Sequence, residues 1–158
     1  MTSGGLVHAD IGVTNGKIIT IGSLSNDSAK EKYDATGLHI LPGVIDSQVH
    51  FREPGLEHKE DIAHGTKAAI KGGVTSIFEM PNTSPLTLDE QTLTAKLKRA
   101  EQTAWCDYAF FMGGNSENAQ HLAELERLPG CAGVKIFMGS STGTLLAKDD
   151  EVIADVLS

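Results

Sequence analysis

Short apolar strands recur along most of this chain at intervals of about 30 residues, the length of a βαβ unit. No other feature limits the available folds as strongly. Residues 43–51 (GVIDSQVHF), 74–80 (VTSIFEM), 107–112 and 131–138 (CAGVKIFM) each read as a strand. Helical patterns lie between them. Residues 58–70 place Ile62, Ala69 and Ile70 on one side, and Gly72-Gly73 supplies a stop. Thr87-x-x-Glu90 is a capping-box pattern ahead of Leu93, Leu97 and Ala100 at helical spacing. Ala119, Leu122, Ala123 and Leu125 form a third stripe, closed by Pro129-Gly130, and a fourth begins at Asp149 with Val152, Ile153, Val156 and Leu157 apolar. Strand and helix in alternation require a parallel sheet, open or closed into a barrel. The 158 residues fall well short of the ~250 that a closed (β/α)8 barrel uses. The final apolar stripe also runs to Leu157-Ser158 without a cap. The fold class expected is therefore α/β: the first half of a (β/α)8 TIM-type barrel, in a truncated chain.

The first 42 residues have a different texture. Ile11-Gly12-Val13 and Lys17-Ile18-Ile19-Thr20-Ile21 flank Asn15-Gly16, a strong hairpin signal because a type I′ turn needs φ > 0 at both central positions. Residues 23–32 read as a polar loop, and Leu38-His39-Ile40-Leu41 as a further short strand closed by Pro42-Gly43. The domain boundary is placed there, with 1–42 as a small β segment and 43–158 as barrel strands 1–4. Thirteen basic against 21 acidic residues give a net charge of −8, which argues against a nucleic-acid partner. An anionic small molecule, which one or two arginines can hold, stays compatible. No apolar run approaches the ~20 residues of a membrane span, and Met1-Thr2-Ser3-Gly4-Gly5 lacks the regions of a signal peptide. Cys106 and Cys131 form no CxxC and read as buried free thiols in a reducing compartment. These features place the chain in the cytoplasm.

Three constellations carry chemistry. Asp46-Ser47-Gln48-Val49-His50-Phe51-Arg52-Glu53-Pro54-Gly55 lies at the C-terminal end of the first α/β strand, where α/β proteins build their sites. Strand alternation puts Gln48, His50 and Arg52 on one face. A neutral imidazole there can bind a metal and a neighbouring guanidinium can grip a carboxylate, although a lone strand histidine is more often structural. Glu79-Met80-Pro81-Asn82-Thr83 closes the second strand. Asn82 can donate and accept, while Pro81-Asn82 taken locally reads as a turn. In the third, Lys135 sits within an apolar strand, where an unpaired ammonium is costly. It can pair with a carboxylate, lose its proton or be covalently modified. The glycines of 139–143 hint at a phosphate cradle but lack the GxxxxGK[ST] order.

Taken together, these segments resemble the N-terminal part of the dihydroorotases, cyclic amidohydrolases of the metal-dependent amidohydrolase superfamily. The motifs that carry the resemblance are Ala9-Asp10-Ile11 through Ile21-Gly22, Leu41-Pro42-Gly43-Val44-Ile45-Asp46, His50-Phe51-Arg52-Glu53-Pro54-Gly55, Gly72-Gly73-Val74-Thr75 and Met80-Pro81-Asn82-Thr83. The resemblance implies that residues 1–42 belong to a small β-sandwich beside the barrel. It implies one or two zinc ions at the barrel mouth and reversible hydrolysis of dihydroorotate to N-carbamoyl-aspartate, a step in pyrimidine biosynthesis. By motif match His50 is a zinc ligand, Arg52 and Asn82 hold the substrate carboxylate, and Lys135 is a carbamate bridging two metals. The family pattern is His-x-His, whereas this chain has Gln48 at the first position, and a neutral carbonyl oxygen is a poor zinc ligand. The later histidine ligands and the aspartate base are expected beyond Ser158, so no catalytic base is expected within the chain. Allantoinase or dihydropyrimidinase activity is the alternative, since Arg-Glu-Pro-Gly occurs in allantoinase-like sequences too. A non-catalytic homologue is the other alternative, which the loss of histidine at position 48 would suit. The expected partners are a cyclic amide bearing a carboxylate and, through the open sheet, a second copy of the chain.

Overall fold

The computed structural model describes residues 4–139 and 145–157, which divide into two compact units, Met1–Pro42 and Gly43–Ser158. In the first unit, β1 (Asp10–Thr14) and β2 (Lys17–Gly22) form an antiparallel hairpin. Its turn has Asn15 at φ 52° and Gly16 at φ 73°, the left-handed pair that a type I′ turn requires. The strand expected at Leu38–Leu41 does not form, and Leu38, Ile40 and Leu41 are exposed. Pro42 closes this segment without an N–H to donate to a ladder.

The second unit is a four-stranded sheet in the order β3 (Val44–Val49), β4 (Val74–Glu79), β5 (Asp107–Gly113), β6 (Cys131–Lys135), every pair parallel. Sequential parallel order with a helical crossover after each strand is the first half of a (β/α)8 barrel. Helix α1 (Ile62–Lys71) starts later than expected, because the Asp61 side chain accepts the His64 N–H (2.7 Å) and sets the N-cap there. Helix α2 (Glu90–Thr103) is capped by Asp89 with Thr92 in a reciprocal capping box, not by Thr87. Thr87 is instead buried, with its N–H given to the Pro81 carbonyl (3.0 Å). The third crossover shrinks to a 3-10 turn (Ala119–His121) and one turn of helix, α3 (Leu122–Leu125). The fourth strand stops at Lys135 rather than Met138, and Phe137 makes a separate parallel bridge to Leu146. Helix α4 covers Asp150–Leu157. The glycine-rich stretch noted at 139–143 falls largely outside the described residues.

One face of this sheet carries the core. Ile62, Leu93, Ala100, Phe110, Met112 and Leu122 are buried together, and Phe51 packs against them. Gly65 lets the Phe51 ring lie directly on α1, since any side chain there would collide with it. Phe51 thereby anchors the first strand-end motif to the helical layer.

Candidate active site

The two motifs that close β3 and β4 form a single structure. Strand β3 ends at Val49, so strand alternation does not govern His50 and Arg52 as expected. Asp46 accepts the Gln48 N–H (3.1 Å) and the register with β4 shifts between Asp46 and Val49. Beyond the strand, Arg52 turns into the left-handed region (φ 64°) and its carbonyl accepts the Leu56 N–H (3.0 Å). Met80 N–H donates to the Val49 carbonyl (3.0 Å), and Ser84 N–H to the Pro54 carbonyl (2.9 Å). Gly55, at φ 90°, lies so close to Ser84 that a Cβ would enter its carbonyl. Glu53 secures the same loop from the outside. Its Oε2 accepts the Ile62 N–H at the start of α1 (2.9 Å) and its Oε1 meets Arg99 of α2 (3.2 Å).

Across this clasp His50 Nδ1 and Asn82 Oδ1 are 2.8 Å apart. An amide oxygen can only accept, so Nδ1 carries the proton and Nε2 keeps its lone pair. Burial holds the His50 imidazole below its ordinary range. The hydrogen bond to Asn82 opposes that shift, and the charges of Arg52, Lys135 and Lys96 reinforce it. A histidine kept neutral, with one nitrogen donating to an oxygen, is the arrangement of metal-bound imidazoles. Lys135, half-buried, has no carboxylate partner among the described residues, and its Nζ lies 5.2 Å from the centre of the Phe137 ring. Of the three outcomes open to this lysine, ion pairing is not realised among the described residues. Gln48 is exposed.

The structure thus joins His50 to Asn82 and brings the Arg52 and Lys135 charges to bear on them. It does not gather a complete metal shell: among the described residues no three His, Cys, Asp or Glu side chains converge. The residues present offer a metal one prepared imidazole, whereas the Lys135 ammonium as it stands has no lone pair to give. Two surface depressions lie around Asp89 and Glu90 at the start of α2, and neither is lined by these residues.

Sequence reasoning missed the support below the site. Glu79, at the end of β4, forms an ion pair with Lys96 of α2, and both side chains are 1% exposed. The signal was present. Lys96 lies three residues after Leu93 and four before Ala100, on the apolar stripe of α2, where a solvated lysine has no place.

Comparison with known proteins places these features in a family. Residues 37–138 match the model of dihydro-orotase-like proteins. The chain is 42% identical over 142 residues to an allantoinase of Rubrobacter xylanophilus, covering 89% of this chain and 31% of that protein. It is 39% identical over 153 residues to a dihydroorotase of Pyrococcus abyssi, covering 94% and 35%. Among solved structures, the L-hydantoinase (dihydropyrimidinase) from Arthrobacter aurescens superposes with a TM-score of 0.90 at 31% identity, over 98% of this chain and 35% of that one. The chain spans about a third of the length of these relatives. No helix among the described residues is long and apolar enough to cross a membrane.

Proposed function

The chain belongs to the dihydro-orotase-like family, and from that premise we propose that it forms part of a zinc-dependent cyclic amide hydrolase acting on dihydroorotate. The observation that carries this reading is the His50–Asn82 hydrogen bond (2.8 Å), because it makes one site of two motifs 32 residues apart in sequence. His50 Nε2 and a carboxylated Lys135 would hold the metal. Carboxylation turns an unpaired ammonium into an anionic oxygen ligand, which suits the position better than a bare cation does. When bound, zinc supplies a water acidified toward neutral pH and polarises the ring carbonyl.

The residues of this chain do the remaining work by position. Arg52, beside His50 on a loop tied to α1 and α2, offers two parallel donors to the substrate carboxylate. Asn82 commits Oδ1 to His50 and keeps its Nδ2 donor for the same carboxylate. Holding the substrate in one orientation by these two side chains is a proximity effect. The proton on the leaving nitrogen requires an acid–base group that these residues do not provide. Gln48 is not assigned to the metal.

Allantoin hydrolysis is the second reading, supported by the allantoinase relative. The pair Arg52 and Asn82 favours a substrate bearing a carboxylate, and dihydroorotate bears one. The test is the turnover of dihydroorotate and allantoin by the protein that carries this chain, loaded with zinc. Dihydroorotate turnover that falls at least ~10-fold in kcat/KM in Arg52→Lys, about 1.4 kcal/mol, is the expected result. His50→Ala should lose stoichiometric zinc by elemental analysis. Allantoin turnover with none of dihydroorotate selects the second reading. A zinc-free protein inactive on both is a non-catalytic homologue.

A further inference from the structure

The Glu79–Lys96 pair lies beneath both site loops, and the chemistry proposed above does not use it. Burial pushes the Glu79 carboxyl up and the Lys96 ammonium down, and the opposite charge of each partner works against that shift. Removing two charges from water costs several kcal/mol per ion, and well-packed apolar residues in their place are often as stable or more so. Stability alone therefore gives little reason for the pair. Its remaining contacts do. Lys96 Nζ donates to the Met80 carbonyl (3.2 Å) and sits 4.9 Å from the centre of the Phe110 ring.

That carbonyl opens the loop that carries Asn82 two residues on. Apolar substitutes would fill the space but could not engage it. We propose that Glu79 and Lys96 are positioning residues: Glu79 holds the Lys96 ammonium in place and Lys96 holds the Met80 carbonyl, which sets the position of the Asn82 amide beside His50. The proposal rests on the assignment of Asn82 to the substrate.

The experiment uses the protein that carries this chain and the double variant Glu79→Leu/Lys96→Met. Removing both charges spares the melting temperature. The KM for dihydroorotate should nevertheless rise at least ~10-fold with a smaller change in kcat, as expected when an interaction made equally in ground and transition states is lost. Hydrogen exchange of the Thr83 and Thr87 amides, which both donate to the Pro81 carbonyl in that loop, should be at least ~10-fold faster in the variant by NMR. Wild-type exchange overturns the proposal, and so does a wild-type KM. If the double variant does not fold, Glu79→Gln replaces it, and unchanged exchange at Thr83 and Thr87 again overturns the proposal. A wild-type protein without cyclic-amide activity would defeat the functional reading alone. The exchange readout would still decide whether the pair holds that loop.

Discussion

Phe110 and Phe111 are neighbours on β5 and lie in different environments. Phe110 is 0% exposed, packed among Ile62 of α1 and Leu93 and Ala100 of α2. Phe111 faces the other way and is half-buried, edge-on to Phe78 with ring centres 6.2 Å apart at 78°. The same division holds across the sheet. Ile77, Glu79 and Met112 on the helical side are at most 1% exposed, whereas Ile45 on the outer strand β3 is 60% exposed. The covered face is finished within this chain and the other is not. The division also separates polar groups: the dry layer holds the Glu79–Lys96 pair, whereas His50 is half-buried at the strand ends.

The largest effect expected is on the covered face. In the 158-residue chain Phe110→Ala should cost about 3–5 kcal/mol in chemical denaturation. Phe111→Ala should cost about 1 kcal/mol, as for a side chain with solvent on one side. Equal losses would break the comparison and show that something covers the second face, a further copy of the chain included.

Next in size is the clasp between the loops. Gly55 combines a φ of 90° with contact on the Ser84 carbonyl, so Gly55→Ala meets strain and collision together. A loss of about 2 kcal/mol is expected. Because the collision would part the loops, His50 and Asn82 should separate with it, visible as a change in the His50 ring nitrogen signals by NMR. An Ala variant with wild-type stability and an unchanged His50 tautomer would show that the loops are not interlocked.

A smaller effect is expected on the open face and edge. Exposed Val44 and Ile45 on the outer strand offer backbone groups and apolar surface to another chain. The isolated chain should therefore self-associate. Ile45→Lys should shift it toward monomer in sedimentation velocity, with a stability change within about 0.5 kcal/mol. Unaltered association would place the contact elsewhere.

Much of this arrangement is legible in the sequence. The 30-residue spacing specifies the parallel order, and Asn15-Gly16 specifies its turn, since both signals are local and no distant contact competes with them. The motifs around His50 and Asn82 are readable as candidates, but their direct hydrogen bond follows from the β3–β4 register, which periodicity does not contain. Arg52 departs from strand alternation because the strand ends at Val49 and its carbonyl accepts the Leu56 N–H in a turn. Thr87 loses the capping role to Asp89 because a carboxylate two residues on reaches the Thr92 N–H at 2.7 Å. Lys96 is the hardest to read. An ammonium in an apolar stripe looks like an error in pattern until its partner on a neighbouring strand is known.

The smallest effect expected is on the outer surface of the helical layer, and it tests whether an exposed charge behaves unlike the buried pair. Asp61 caps α1, accepting from His64 N–H (2.7 Å), while Oδ2 lies 2.7 Å from His64 Nδ1. The backbone bond from His64, followed by the one from its side chain, holds the Asp61 carboxyl below the usual 3.8. A depressed folded value means that the charged form stabilises the fold. That contribution is complete above the unfolded value near 4 and is lost as pH falls through the folded one. Asp61→Asn keeps a capping oxygen but no charge, so at pH 7 it should cost no more than about 0.5 kcal/mol, the scale of exposed ion pairs. The melting temperatures of wild type and variant should differ slightly at pH 7 and converge below pH 4. A difference that persisted unchanged to pH 3 would mean that the carboxylate charge contributes nothing and that the cap acts through its oxygen alone.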